Sequence, residues 1–309
     1  MSSSNVHLKV EVACVLEWET DYTTIHDLIV TKDAIFATSF LEGRIFAFDR
    51  SGKALTPIGQ LGQGPSELLH PMAMTCDGPH LYVGDSGKQK VYKIDLVTGK
   101  FLNSWTTGTI NNIIVNKDLV YLAFNGPNPL GVTNSAVVAS VKLGETLQPE
   151  HFFFQNPCCI SMPGTKYSGI LLDSDGFFWV SFTGEYRLEK YSHTGQLIKV
   201  INTEPPGFAA PGPLKASSFN AKARTTHFRS FDKTRGLFEL DDLIVLYRFK
   251  LMSDARLDVY DHQGAAIGLN VNISGIVPTS TFDGVLYGYR KADSEDRGDI
   301  EIMKISVTR

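Results

Sequence analysis

The chain has 309 residues, is 43% hydrophobic and 20% charged, and carries a net charge of −4. This composition excludes a disordered or collagen-like chain, and the acidic balance argues against a whole-surface nucleic-acid binder. No apolar run approaches the roughly 18 residues of a membrane-spanning helix. Residues 1–5 lack the basic and apolar parts of a signal peptide, so we expect a cytoplasmic protein, or a periplasmic or extracellular one if a leader has been removed.

Short runs of β-branched and aromatic residues recur along the chain, and an aspartate stands shortly before each run. Such runs, bounded by turn residues, are typical of β-strands, and no stretch shows the sustained 3.6-residue period of a capped helix. The runs cover residues 35–37, 81–83, 120–122, 177–180, 243–245 and 285–287. The preceding aspartates lie 41 to 67 residues apart and are Asp33, Asp77, Asp118, Asp175, Asp242 and Asp283.

A second pattern follows each run and places alternating apolar residues before a turn. Residues 44–52, 187–195 and 256–264 are clear copies, and residues 91–95, 138–142 and 302–306 are looser ones. Six copies at a period of about 40–50 residues are typical of propeller blades with four antiparallel strands each. We therefore predict an all-β fold, a six-bladed β-propeller, in which residues 1–309 form a single domain.

The two ends of the chain are predicted to share the last blade. The sixth copy ends at its third strand, four residues past Ile305, and has no fourth strand of its own. The strand-like residues 6–12 precede the first copy and have no partner there. Pairing this segment with the last copy closes the ring and removes an open sheet edge.

One connecting segment also resembles a known repeat family. Residues 59–71, GQLGQGPSELLHP, are similar to the linker of NHL-type repeats, G-x-G-P-G-E-F-x-x-P, with Ser66 and Leu68 in place of the usual Gly and Phe. The chain thus resembles the six-bladed propellers abundant in Bacteroidetes. That group includes protein- and RNA-binding modules, lactonases and lyases that hold a metal on the propeller axis, so the resemblance implies a fold rather than one activity.

A long insertion at about residues 202–235 separates the fourth and fifth copies and is rich in Pro, Gly and Ser. We predict a lid or binding loop, with a packing or disordered insertion as the alternative. Its six cationic residues exceed Glu204 and Asp232 by four charges and would attract an anion: Lys215, Lys222, Arg224, Arg229, Lys233 and Arg235. Exposed aromatic residues here would instead suit a protein or glycan partner: Phe208, Phe219, Phe228 and Phe231.

The inner strands of a propeller line its central channel, and a count of seven residues back from each turn aspartate predicts which side chains meet there. The count selects His26, His70, Asn111, Ser168, Arg235 and Ile276. We predict His26, His70 and Tyr167 as acid/base groups, and Asn111, Ser168, Arg235, Arg229 and His227 as substrate-binding groups. Three histidines could also hold a divalent metal such as Zn or Ca, namely His26, His70 and His227, and a water-filled channel without metal is the alternative.

The functional prediction is a small-molecule-binding propeller, with a polar or anionic ligand at the central channel. Lyase, hydrolase or isomerase chemistry, assisted by an acid/base pair or a metal, fits these residue types. The alternative is a non-catalytic module that binds proteins or glycans. We expect a monomer that acts on a small ligand, with no nucleic acid and no membrane as partner.

Overall fold

The computed structural model describes residues 6–18, 25–116, 119–124, 136–142, 144, 146, 148–155, 169–182, 186–210, 231–250, 254–273, 275–292 and 299–308. Within these ranges, 23 strands form six antiparallel sheets. Strand β1 (His7–Leu16) comes first along the chain and belongs to the last sheet. The prediction of an all-β, six-bladed propeller is confirmed.

The first three blades follow each other along the chain. Blade one has three strands, β2 (Ile25–Val30), β3 (Ala34–Ser39) and β4 (Arg44–Asp49). Blade two contains β5 (Pro71–Asp77), β6 (His80–Asp85), β7 (Lys90–Asp95) and β8 (Phe101–Thr106). Blade three contains β9 (Ile110–Asn116), β10 (Leu119–Phe124), β11 (Ala136–Lys142) and β12 (Gln148–Gln155).

The remaining blades repeat the arrangement, and the last one recruits the N-terminal strand. Blade four contains β13 (Gly169–Leu172), β14 (Phe178–Ser181), β15 (Leu188–Tyr191) and β16 (Leu197–Ile201). Blade five contains β17 (Lys233–Leu240), β18 (Leu243–Phe249), β19 (Arg256–Asp261) and β20 (Ala266–Asn272). Blade six contains β21 (Val277–Phe282), β22 (Val285–Lys291) and β23 (Ile300–Thr308), and β1 pairs along β23 as predicted.

The fourth strand predicted for blade one is reduced to two isolated bridges. Ile45 pairs with Ile58 and Phe48 pairs with Ala54, but no continuous ladder joins them. Pro57 stands inside this stretch and has no N–H to donate to a neighbouring strand, so a regular ladder cannot continue through it.

Apolar side chains fill the spaces between neighbouring blades. Six clusters of buried residues are described, and each joins side chains from two adjacent sheets. Alternation along each strand sends successive side chains to opposite faces, so one strand contributes to two of these clusters. Between blades six and one, for example, the Trp18 ring stacks on Phe48 with ring centroids 5.5 Å apart, and Tyr287 belongs to the same cluster.

The turn between the third and fourth strand positions depends on glycine. The N–H of Gly52 donates to the carbonyl of Asp49, and its φ of 94° lies in the left-handed region. A Cβ at this position would also stand 2.0 Å from the carbonyl oxygen of Val15 in the closing strand. The turns that end at Gly195 and Gly264 have the same hydrogen bond and the same sign of φ.

The part of the chain that the structure describes contains no helix with the length and apolar character to cross a membrane.

If β1 closes the ring, substitutions at its buried and exposed positions should differ in their effect on the free energy of unfolding. Leu16 is fully buried between blades six and one, whereas Val12 in the same strand is 48% exposed. We expect Leu16→Ala to lower the free energy of unfolding by about 3 kcal/mol, since it leaves a cavity at the closing interface. Val12→Ala is the matched control and should change it by less than about 0.5 kcal/mol. Chemical denaturation of both variants tests this, and equal losses would contradict the closing role of Leu16.

Candidate functional site

A central channel passes along the propeller axis and encloses about 1220 Å³. Residues from all six inner strands line it, namely β2, β5, β9, β13, β17 and β21. These strands start at one face of the disc and end at the other, because each is followed by a tight turn into the second strand of its blade. The face at which they start is called the entry face below.

Four inner strands carry a β-bulge at one level close to the entry face, and a fifth bulge, which skips Thr279 in β21, lies two residues further along its strand. The pairing with the second strand skips His26 and Asp27 in β2, Met72 in β5, Asn111 in β9 and Arg235 in β17. In the second strands the bulges fall at equivalent positions: 37–39, 84–85, 123–124 and 247–248. A bulged residue is not paired with the neighbouring strand, and its side chain points in a different direction from that of a regular strand residue. Bulges are therefore frequent beside functional sites. The five residues at the shared level line the channel, and we call them the bulge ring.

The structure therefore brings together three of the residues predicted from the sequence, His26, Asn111 and Arg235. The prediction that His70 lies on the axis is wrong. His70 precedes β5, lies outside the described channel lining, and its ring stacks on Phe40 with centroids 4.4 Å apart. Its predicted place is taken by Met72.

Other predicted positions have separate outcomes. Ile276 is buried in the cluster between blades five and six, and its neighbour Val277 lines the channel instead. Four predicted site residues lie outside the described residues: Tyr167, Ser168, His227 and Arg229.

His26 is held by the neighbouring blade. Its Nδ1 lies 2.6 Å from the carbonyl oxygen of Met72, and a carbonyl can only accept, so Nδ1 carries the donated proton. Burial lowers the pKa of His26, and the positive charge of Arg235 lowers it further. The ring is therefore neutral near pH 7, and Nε2 holds the lone pair that can accept a proton.

Asp27 is a site residue that the sequence count missed. Its Oδ2 accepts a hydrogen bond from the N–H of Met74 at 2.7 Å, and its Oδ1 accepts one from the N–H of Leu28 at 2.9 Å. Burial raises the pKa of this carboxyl to about 6, although the two hydrogen bonds and the charge of Arg235 act in the opposite direction. An ionisable side chain inside the otherwise apolar run of β2 was the available signal.

Arg235 and Lys233 belong to the inner strand β17 and not to the insertion. One Arg235 Nη donates to the carbonyl of His26 at 3.3 Å, which links blade five to blade one across the axis. The Nζ of Lys233 donates to the carbonyls of Phe231 and Lys250, and burial lowers its pKa to about 8. Two of the six cations counted in the insertion thus lie in the channel wall itself.

The base of the insertion is anchored by a buried polar network. Ala209 and Asp232 exchange two hydrogen bonds, one from each backbone N–H, at 2.6 and 2.8 Å. Arg248 lies 3.4 Å from the Asp232 carboxylate and 2.7 Å from that of Asp258. Breaking a buried pair of this kind leaves an uncompensated charge and is strongly destabilising. Ala209 and Asp232, which flank the part of the insertion outside the described residues, are therefore held together in a fixed base.

The expectation of exposed aromatic residues in the insertion is wrong for the two that are described. Phe231 is fully buried, and Phe208 is half-buried with its ring edge-on to Tyr186 at 5.2 Å. Rings next to the anchored base gain more from packing against blades four and five than from exposure. Phe219 and Phe228 lie outside the described residues.

A metal site stays a prediction. In the described ranges, no three His, Cys, Asp or Glu side chains form a group that could hold an ion. The proposed third ligand, His227, falls outside those ranges. Of the other two histidines, His26 uses Nδ1 for Met72 and His70 stacks on Phe40.

Comparisons with known proteins agree with the fold. Residues 18–147, less than half of the chain, match the family model DUF5128, described as a 6-bladed beta-propeller. No curated protein matches the sequence. A Bacteroides vulgatus structure of the DUF4221 family superimposes with a TM-score of 0.70 at 12% identity and covers 100% of both chains.

Two further solved structures share the architecture at similarly low identity. A Bacteroides fragilis protein described as a candidate exported protein has a TM-score of 0.63 at 9% identity, over 98% of this chain and 96% of that one. Virginiamycin B lyase from Staphylococcus aureus, solved with quinupristin, has a TM-score of 0.57 at 13% identity, over 94% and 83% of the two chains. At these identities the likeness concerns the fold. By its six sheets and by these comparisons, the chain is a six-bladed β-propeller related in structure to Bacteroides propeller proteins.

Proposed function

We propose that the bulge ring binds a small anionic molecule at the entry end of the channel. The observation that carries this proposal is the shared level of the four bulges, which brings four polar residues and Met72 to one place: His26, Asp27, Asn111 and Arg235 are the polar ones. Among the described residues, no carboxylate lies within ion-pair distance of the Arg235 guanidinium. Its planar set of donors is suited to a carboxylate, sulfate or phosphate group.

The same residues support acid/base chemistry on the bound anion. Nε2 of neutral His26 can remove a proton from a substrate that Arg235 holds, and the charge of Arg235 stabilises the anion that forms. Asp27, with a pKa near the operating range, and the amide of Asn111 can exchange or orient protons at the same level. A general base, a proton donor and a cationic group for the anion that forms are the groups that lyase, isomerase and, with water, hydrolase reactions use.

The described residues favour a small-molecule site over the alternative, a non-catalytic module that binds proteins or glycans. The aromatic side chains that favoured a protein or glycan partner pack into the propeller where they are described. We also propose that the protein acts outside the cytoplasm as a monomer on a small ligand, without nucleic acid or membrane as partner. The likeness to the B. fragilis protein described as a candidate for export supports the first part. A divalent metal at His26, His70 and His227 is tested by metal analysis of the purified protein.

Arg235→Met tests whether the Arg235 guanidinium binds the anion. The substitution keeps an apolar stem of similar length and removes the guanidinium, so binding of sulfate or butyrate should weaken at least roughly tenfold, the equivalent of about 1.4 kcal/mol. Arg256→Met is the matched control, because Arg256 lies on β19 outside the described channel lining and bonds Asn272. Isothermal titration of the wild type and both variants decides the matter. Equal losses in the two variants, or no anion binding in the wild type, would refute the proposal.

Asp27→Asn tests the electrostatics of the ring. Sulfate keeps its charge between pH 7.5 and 5, while Asp27, with a pKa of about 6, loses its negative charge. Sulfate should therefore bind roughly tenfold tighter to the wild type at pH 5 than at pH 7.5, with a midpoint near 6. Asp27→Asn should bind tightly at pH 7.5 and lose that midpoint, although protonation of His26 can still add a step at lower pH. An unchanged pH profile in the variant would assign the step to another group.

A shortened insertion separates ligand binding from folding. We expect replacement of residues 211–230 by a short Gly/Ser linker to leave the melting temperature within a few degrees, because the Ala209–Asp232 base and the Arg248 ion pairs remain. Anion affinity should fall, because the four cationic residues of the segment are removed. Circular dichroism melting together with titration measures both effects. A variant that unfolds would show that the segment packs as part of the core.

A further inference from the structure

Hydroxyl and amide side chains line the channel deeper than the bulge ring. They come from three inner strands and are half-buried or exposed: Thr75 in β5, Asn112 in β9, and Thr279, Ser280 and Thr281 in β21. The wall also contains half-buried aliphatic side chains, such as Ile114 in β9 and Leu171 in β13. The deeper wall is therefore mixed, with neutral hydrogen-bonding groups set among apolar ones.

The bulge in β21 presents two neighbouring hydroxyls to the channel. The pairing with β22 skips Thr279 before Ser280 pairs with Tyr287, and both hydroxyl residues line the channel. Oγ1 of Thr279 donates to the carbonyl of Tyr287 at 3.4 Å, which leaves lone pairs on that oxygen for a ligand donor. Oγ of Ser280 accepts from the N–H of Val30 at 3.3 Å, which leaves its O–H to donate. Strand β21 therefore keeps an acceptor and a donor next to each other.

Two polar side chains of other blades also keep their hydrogen-bonding capacity. Within the part of the chain that the structure describes, the Asn112 amide and the Thr75 hydroxyl bond to no protein group, although both side chains are half-buried at the channel wall. Polar groups in such positions bond to water or to a ligand. Amides and hydroxyls both donate and accept, and so does a ligand hydroxyl, which makes it a suitable partner for each of them.

The charged side chains of the described lining lie near the two ends of the channel. Asp27, Lys233 and Arg235 lie at the entry end, and Lys32 and Asp33 lie in the turn that follows β2. The hydroxyl and amide groups between these ends are neutral. A pure hydrocarbon would leave them without partners, which is unfavourable for groups removed from water. A ligand with an anionic group at one end and hydroxyls along its body meets a partner at each level.

We propose that the ligand is an anionic polyol of the sugar-acid class, with its carboxylate on Arg235 and its hydroxyls on Asn112, Thr75 and the two hydroxyls of β21. This inference rests on the proposed anion site and names the class of molecule that the site selects. Asn112 lies one residue beyond the bulge ring and Thr75 three residues beyond it, roughly 3 and 10 Å deeper along their strands. Hydroxyls along the length of the ligand meet these groups in turn, and the aliphatic side chains contact its C–H surfaces.

Probes of the same carbon number separate the charge from the hydroxyls. D-gluconate and D-glucuronate carry both, hexanoate carries only the carboxylate, and D-sorbitol carries only the hydroxyls. In isothermal titration at pH 7.5, we expect the better of the two sugar acids to bind at least roughly tenfold tighter than hexanoate or sorbitol, the equivalent of about 1.4 kcal/mol. Arg235→Met should weaken this sugar acid and hexanoate at least roughly tenfold and leave sorbitol unchanged.

Asn112→Leu tests where the hydroxyls bind. The substitution removes the amide and keeps a side chain of similar size, so it should weaken the sugar acid roughly tenfold and leave hexanoate no weaker. Asn103→Leu is the matched control, because Asn103 is exposed on the outer strand β8, outside the described channel lining.

Thr75→Val tests the deeper level of the wall, and it does so even if Asn112→Leu does not fold. Valine has nearly the shape of threonine, so the substitution removes only the hydroxyl and should weaken the sugar acid roughly threefold. Thr106→Val is the matched control at an exposed position of β8 and should leave the affinity unchanged.

The outcomes distinguish the two proposals. If hexanoate binds as tightly as both sugar acids, and all three need Arg235, the anion site stands and the polyol is refuted. If sorbitol binds as tightly as the sugar acids, or if no anionic probe depends on Arg235, the anion site itself is refuted. If the channel variants and their controls on β8 have equal effects on the sugar acid, the hydroxyl and amide groups of the channel do not bind it, and the polyol is again refuted.

Discussion

The pairing of β1 with β23 is the constraint on which the rest of the structure depends. Each blade buries its faces only against its two neighbours, so an open ring would leave one pair of faces in water. Nine residue pairs join the first and last strands, and Trp18 continues the contact into blade one, where its ring packs at a tilt against Phe46 and stacks on Phe48. Only a closed ring holds six inner strands around one axis, and the channel exists because of that closure.

The bulge ring shows how the scaffold and the candidate site share residues. A bulge leaves backbone groups without ladder partners, and these need other hydrogen bonds. In β2 the N–H of Asp27 donates to the Thr38 hydroxyl, and the Asp27 carboxylate accepts from Leu28 and from Met74 in the next blade. His26 likewise bonds the backbone of β5. The first two ring residues therefore join blades one and two as well as facing the channel.

The sequence predicted the fold well because its signals are periodic. The turn aspartates and the third-strand pattern fix six blades, and the unpaired N-terminal run fixes the closure. The same count placed His26 and Arg235 correctly, because Asp33 and Asp242 stand at equivalent positions beyond their inner strands, and it also reached Asn111.

The error at His70 has a local cause. Asp77 is the last residue of β5 and pairs with His80 across a two-residue turn, whereas Asp33 lies inside the turn of blade one. A count from Asp77 therefore starts two residues earlier in the strand and reaches His70 in place of Met72. The bulge in β2 contains two residues, His26 and Asp27, and both line the channel. The count of seven residues back from the turn aspartate selects only one residue in each strand, so it missed Asp27. Turn length and bulge size are set by backbone pairing, which the residue types alone do not encode.

Arg235 differs from the rest of the ring in what its side chain does. Its backbone position is secured from outside the channel, since β17 begins directly after Asp232, whose carboxylate is tied to Arg248 and through it to Asp258. Its guanidinium makes one described hydrogen bond, at 3.3 Å, to the carbonyl of His26. A charged side chain that lies on a rigid strand and lines the channel loses less conformational freedom when a ligand binds than one on a loop does. Arg235 thus joins blade five to blade one through this single bond, and it supplies the positive charge on which the proposed anion site rests.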